Sequence, residues 1–149
     1  ALEEAGVVLE LLEQPVKAAD IAGLKYVTDR VNTPVMADES VFNPSQVIDL
    51  IQQRAADIVN IKLMKTGGLS NAIRIADIAA IHGVPCMIGC MIESSISVAA
   101  AVHLAVAKSD VITKVDLILE VCTPGLLRLI GVGQRRRAKS QRLAINRVV

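Results

Sequence analysis

Glu13, Asp38 and Lys62 are the residues whose types and spacing could do chemistry together, standing 25 and 24 positions apart and each following an apolar run. That interval is about the length of one strand, loop and helix in a βα repeat, which predicts all three at the ends of neighbouring strands, facing one cavity. Two inward carboxylates repel each other unless a proton or a cation lies between them, and a divalent metal resolves the conflict. With oxygen donors alone the hard ion Mg²⁺ is expected, Mn²⁺ being an acceptable substitute, because zinc prefers His or Cys. Lys62 would face the same cavity, where desolvation and a nearby cation push a lysine pKa down. A neutral lysine is a general base, and a metal on both oxygens of a carboxylate stabilises the charge left when the adjacent carbon loses its proton. The trio therefore points to carbon-acid chemistry. Lys65, three residues on, is expected outside the barrel as a structural part of the loop.

The elements that must position these residues repeat about every 25 positions. A run Val7-Val8-Leu9-Glu10-Leu11-Leu12 ends at Glu13, with alternation placing Leu9, Leu11 and Glu13 on one face, and a helix follows from about Asp20. Pro34-Val35-Met36-Ala37 reaches Asp38 and enters a helix marked by Asn43 as cap and Pro44 in the first turn. Ile58-Val59-Asn60-Ile61 leads to Lys62, the Gly67-Gly68 loop and a helix that stops at Gly83. A fourth strand, Pro85 to Gly89, runs toward Glu93 and a helix from about Ser95 to Ala107, and a fifth, Val111 to Val115, reaches Asp116. Five βα-type units with no hairpin signal argue for a parallel sheet with right-handed crossovers, either doubly wound or part of a barrel. Candidate groups at several consecutive strand ends, and the lack of a GxGxxG or GxxxxGK[ST] loop, favour part of a (β/α)8 barrel. Residues 118–149 read as a largely irregular basic tail, broken by Thr123-Pro124-Gly125 and Gly131-Val132-Gly133, leaving residues 1–117 as the barrel portion.

Composition excludes several classes. The 149 residues are 52% hydrophobic, enough for one core, and the apolar mass is aliphatic: Tyr26 and Phe42 are the aromatic residues and there is no Trp. Stacking platforms for nucleic acid bases are missing. All 15 acidic residues precede position 121, whereas six of the 16 basic ones fall in the last 15 positions, which reads as a solvated terminus rather than a nucleic-acid contact. Cys86, Cys90 and Cys122 form an odd set with no CxxC pair, so free thiols in a reducing compartment are expected, not a disulfide framework or zinc site. His82 and His103 fall in helical segments and are expected as helix-surface or packing residues, not ligands. No long apolar span and no signal peptide are present, so a cytoplasmic protein without membrane contact is expected. A chain that starts at Ala1 without an initiator Met suggests a piece of a longer protein.

At Leu12-Glu13-Gln14-Pro15-Val16, Pro34-Val35-Met36-Ala37-Asp38-Glu39-Ser40, Asn60-Ile61-Lys62-Leu63-Met64-Lys65-Thr66-Gly67-Gly68 and Met87-Ile88-Gly89-Cys90-Met91-Ile92-Glu93-Ser94, the chain resembles the enolase superfamily. The likeness is to the muconate-lactonizing-enzyme-like branch, and within it to dipeptide epimerases of the L-Ala-D/L-Glu type, over about residues 7–116. It implies strands four to eight of a (β/α)8 barrel, with Glu13 and Asp38 as Mg²⁺ ligands, Glu39 as an acid behind them and Lys62 as one of two acid/base lysines on opposite faces of the substrate α-carbon. It also implies Glu93 in the lining of the substrate pocket and Asp116 at the first position of an Asp-x-Asp pair that binds the substrate ammonium; Leu117-Ile118 follows, so the second Asp is absent. The implied activity is epimerisation of a carboxylate or dipeptide through an enediolate. Muconate-type cycloisomerisation and o-succinylbenzoate-synthase-like dehydration use the same core. The implied third metal ligand and opposite base precede the matching region, so a non-catalytic fragment is the reading of another class. A homo-oligomer is compatible with all of these.

Overall fold

The computed structural model describes residue 6, residues 8–91 and residues 93–117. The expected irregular tail, with Cys122, lies outside the described residues. Among the described residues the elements run β1 (Leu12–Glu13), α1 (Ile21–Thr28), β2 (Val35–Ala37), α2 (Pro44–Gln53), β3 (Ile58–Ile61), α3 (Leu63–Thr66), α4 (Leu69–Ile81), β4 (Cys86–Gly89), α5 (Ser95–Ala107) and β5 (Ile112–Asp116), strands alternating with helices except for the pair α3 and α4. The strands form one sheet in the order β1-β2-β3-β4-β5, and every neighbouring pair is parallel. A doubly wound sheet reverses its strand order at a switch point, whereas here each strand pairs with the next in sequence. The sheet is an arc of a (β/α)8-type barrel, as expected.

Local chemistry sets the element ends. Asp20 caps α1 by accepting from the backbone N–H of Gly23 at 2.8 Å, and Asn43 caps α2 by accepting from Gln46 N–H with Pro44 at the first helical position. Ser94 caps α5 in the same way through Ser97. Gly67, at φ 74°, ends the single turn of α3 and lets Gly68 start α4. Among the described residues β1, at the edge of the sheet, is confined to the two positions that pair with β2, Leu12 opposite Val35 and Glu13 opposite Met36; Val8 is exposed.

The strands' two faces have different fates. Val35, Ala37, Val59, Ile61, Cys86, Ile88 and Ile112 point toward the helices and join Leu24, Val47, Leu50, Ile75 and Leu104 in the main core. The opposite face carries a smaller cluster of Met36, Ile58 and Met87 with Leu11 packed against it. Period-two alternation then puts Glu13, Asp38, Asn60, Lys62 and Gly89 on this second, inward side. On α4 the buried stripe is Ala72, Ile75, Ala76 and Ala79, so Ile73 and Ile81 of the same helix face outward. His82 and His103 are exposed, as expected. Among the described residues no helix is long and apolar enough to cross a membrane.

Candidate metal and base site

Asp38 follows directly on β2 and is buried, its carboxylate gripped from two sides by lysines of the next unit. Lys62, the residue between β3 and α3, donates to Oδ2 of Asp38 at 2.5 Å, and its ammonium lies 3.9 Å from Oε1 of Glu13 at the end of β1. The structure thus brings together the three residues that the spacing singles out. Asn60 adds a contact by donating from Nδ2 to Oε1 of Glu13 at 3.2 Å. Its Oδ1 is buried and finds no hydrogen-bond partner among the described residues. Close packing at this point depends on Gly89. A Cβ there would fall 2.9 Å from Asn60 Oδ1 and 3.0 Å from Lys62 Cε, so only a residue without a side chain leaves room for both.

Lys65 is not outside the barrel as expected. One turn of α3 carries it back toward β2, where its ammonium donates to Oδ1 of Asp38, to the Asp38 backbone carbonyl at 2.6 Å and to the Asn60 carbonyl at 3.3 Å. Lys62 and Lys65 are three apart across a helical turn, the spacing that puts two side chains on one face. That signal was present in the sequence. Gln14 is a second residue whose part the sequence left unread. Held at a positive φ of 39°, it accepts from the backbone N–H of Asp38 at 2.9 Å and of Ser40 at 3.2 Å through Oε1, and donates from Nε2 to Ser40 Oγ at 2.8 Å. It ties the end of β1 to the end of β2, so the Glu13–Asp38 spacing is fixed by a side chain lying between them in sequence.

The electrostatics follow from burial and from this crowding. Burial pushes the Glu13 carboxyl up, and hydrogen bonding to Asp38 and the Asp38 charge push it further, to about 7, so Glu13 holds a proton well above the normal carboxylate range. Burial acts on Asp38 in the same direction, but the Lys65 charge and the hydrogen bonds from both lysines outweigh it and hold Asp38 below its usual value. For Lys62, burial lowers the pKa, yet the bond to Asp38 and the charges of Asp38, Glu13 and Glu39 win and raise it. The expectation of a depressed Lys62 pKa is therefore corrected for the protein by itself: its partners here are anions. Lys65 is the lysine whose pKa is lowered, because its deeper burial exceeds the pull of Asp38. The charge of the half-buried Glu39 adds a smaller upward push on both lysines.

Two further candidates lie apart from this cluster. Asp116, at the end of β5, lines a cavity of about 380 Å³ together with Glu10, Leu11, Glu13, Met87 and Lys114, so it shares an open space with one of the proposed ligands. Glu93 does not reach it. Its buried carboxylate accepts from the backbone N–H of Met91 at 3.1 Å and from the Ser97 hydroxyl, holding the loop between β4 and α5. As to a metal, two hard carboxylates meet at adjacent strand ends, and a lysine ammonium bridges them. The donor set suits a hard cation in kind but supplies two ligands; among the described residues no three His, Cys, Asp or Glu side chains come together as a ligand set.

This geometry has counterparts. The chain is 57% identical over 116 residues, 78% of its length, to the L-Ala-D/L-Glu epimerase of Clostridium acetobutylicum, of which that stretch is 32%. The structure superposes with a TM-score of 0.74, at 52% identity, on a substrate-liganded L-Ala-D/L-Glu epimerase from Bacillus subtilis, covering 77% of this chain and 32% of that one. A dipeptide epimerase from Enterococcus faecalis complexed with Mg and the dipeptide L-Leu-L-Tyr matches with a TM-score of 0.73 at 47% identity, over 77% of this chain and 33% of that one. The chain thus spans about a third of the length of the curated relatives it matches. The model of the family described as enolase C-terminal domain-like matches residues 1–120, and with the parallel barrel arc and its strand-end carboxylates already in place, the chain belongs to that family.

Proposed function

We propose that this chain is the C-terminal barrel portion of a Mg²⁺-dependent epimerase that removes and returns the proton α to a carboxylate, on a dipeptide of the L-Ala-D/L-Glu kind. The observation that carries the reading is the meeting of Glu13, Asp38 and Lys62 at three successive strand ends. Supporting it, chains about half identical to this one include epimerases, one of them solved with Mg and a dipeptide. Glu13 and Asp38 would hold the ion, which when bound would stabilise the charge that builds on the substrate carboxylate as its α-proton leaves.

Every other step falls to side chains. Lys62 takes the proton at Nζ, for which it must first be neutral. Burial favours the neutral amine and the two carboxylates oppose it, so engaging both carboxylates elsewhere tips the balance toward a base. Glu39 would add negative charge to the pair, and Asp116 would meet a cationic substrate group, a reading supported by the cavity it shares with Glu13. Glu93 would act on the substrate pocket only indirectly, through the loop it holds. Return of the proton on the opposite face needs a second base from outside this cluster.

The test is proton NMR of L-Ala-L-Glu in D₂O with Mg²⁺ and the barrel completed by its remaining strands. Loss of the α-proton signal is expected, and Lys62→Ala should abolish it on the Lys62 face; exchange unchanged by that substitution would show that Lys62 is not the base. One observation favours a second reading: the described residues supply two metal ligands, not three. A 149-residue chain that neither exchanges the α-proton nor binds Mg²⁺ more tightly than millimolar would identify a non-catalytic fragment.

A further inference from the structure

We propose that Lys65 is a positioning residue: a fixed buried cation that holds Asp38 so that one carboxylate oxygen, Oδ2, is presented to the metal. This rests on the metal reading above. An ammonium has three N–H donors, and all three of Lys65 are committed, to Asp38 Oδ1, the Asp38 carbonyl and the Asn60 carbonyl. With its side chain only 6% exposed, it has no route to act as a mobile proton carrier. The three contacts fix both the backbone and the side-chain rotation of Asp38. They leave Oδ2, on the Lys62 side, as the carboxylate oxygen that Lys65 does not occupy. The Asn60 carbonyl adds β3 to the same anchor, and Asn60 in turn donates to Glu13, so one cation steadies both proposed ligands. Phe42, whose ring centre is 5.8 Å from the ammonium, covers the same cation.

A consequence for ion choice follows. Mg²⁺ demands near-octahedral coordination by single oxygens, whereas the larger Ca²⁺ accepts a carboxylate through both. Tying up Oδ1 makes Asp38 a one-oxygen donor and favours Mg²⁺. Mg²⁺ and Ca²⁺ are therefore titrated separately, by isothermal calorimetry, into the 149-residue chain and its Lys65→Met variant. The variant should bind Mg²⁺ about tenfold to a hundredfold more weakly, as when a residue orienting a ligand is lost. Ca²⁺ should change by less than about threefold, because the freed carboxylate can bind through both oxygens. Equal weakening for both ions, or none, overturns the positioning role while leaving the metal reading intact. If the unsubstituted chain binds neither ion, the metal reading falls and this inference with it. Where Lys65→Met does not fold, lysine-selective ¹⁵N NMR of the unsubstituted chain decides. A slowly exchanging Lys65 Nζ signal that persists at Mg²⁺ saturation is expected, and a freely exchanging one overturns the proposal.

Discussion

The ammonium of Lys65 donates to the carboxylate of Asp38 and, at 2.6 Å, to its backbone carbonyl, so two largely buried residues are each other's principal charge partners. Removing one partner of a buried pair leaves the other charged and uncompensated, at a cost of about 3–5 kcal/mol. Asp38→Ala should therefore destabilise the fold by about that amount, even though it removes only a few atoms. Combining it with Lys65→Met should recover roughly half of the loss, because the double variant no longer buries the Lys65 charge unpaired and Lys62 keeps Glu13 at 3.9 Å. Urea unfolding of the two single variants and the pair measures the coupling. Strict additivity would show that the two side chains do not share an interaction.

Gln14 makes a different kind of contribution, through geometry without charge. Its Oε1 is the acceptor for the backbone N–H groups of Asp38 and Ser40, both buried residues. Gln14→Ala strands those donors, and each unpaired buried group costs about 1–3 kcal/mol. Gln14→Glu keeps the acceptor oxygen but replaces the Nε2 donor to Ser40 Oγ by an oxygen and adds a third carboxylate beside Glu13 and Asp38. It should be destabilised as well, most at neutral and higher pH, where the carboxylates repel. A Gln14→Ala variant with an unaltered urea midpoint would remove Gln14 from any part in fixing the distance between the two strand ends.

How much of this was written in the sequence can be judged residue by residue. The 25- and 24-residue spacing located Glu13, Asp38 and Lys62 because a βα repeat has a nearly fixed length, and Asn43 with Pro44 announced the start of α2, whereas the caps Asp20 and Ser94 emerge only from the structure. Lys65 was misplaced because the Gly-Gly pair after it reads as open loop, whereas Leu63–Thr66 forms a complete turn before Gly67 ends it. The sequence predicts a lowered Lys62 pKa from burial and a cation at its side, whereas the neighbours that the fold gives it are anions, which raise it. Asn60 was legible in principle. A polar residue inside an apolar strand, two positions before Lys62, must share that residue's inward face. What no local pattern could give is Gly89, whose importance lies entirely in what approaches it from another strand.

The raised Glu13 pKa carries a sign that can be checked. A carboxyl with a folded-state pKa of about 7 against 4.5 ordinarily binds its proton more tightly in the folded than in the unfolded chain. Its stabilising contribution is fully present below the unfolded value and is lost as pH rises through the folded one. Metal-free protein should thus become less stable between about pH 5 and about pH 8. Glu13→Gln, which cannot ionise, should flatten that part of the profile. Thermal melting across this range, with chelator present, makes the comparison, and identical slopes for the two proteins would mean that Glu13 titrates normally.

Gly89→Ala tests whether the inward face is packed as tightly as the distances imply. The new methyl would meet Asn60 Oδ1 at 2.9 Å, Lys62 Cε at 3.0 Å and Asn60 Nδ2 at 3.2 Å. Lys62 is long and partly exposed and can swing aside, but Asn60 is buried and held through its bond to Glu13. The strain therefore falls on Asn60 and, through it, on Glu13. Overpacking of this kind costs about 1–3 kcal/mol. The stability loss alone would not distinguish this site from any crowded core position, so the deciding measurement is paired. Asn60→Ala, which removes both close contacts of the methyl on that side, should make Gly89→Ala much less costly than it is in the unsubstituted chain, since the clash partner is gone. If Gly89→Ala costs the same in both backgrounds, the close approach of Asn60 to β4 is not what the glycine accommodates.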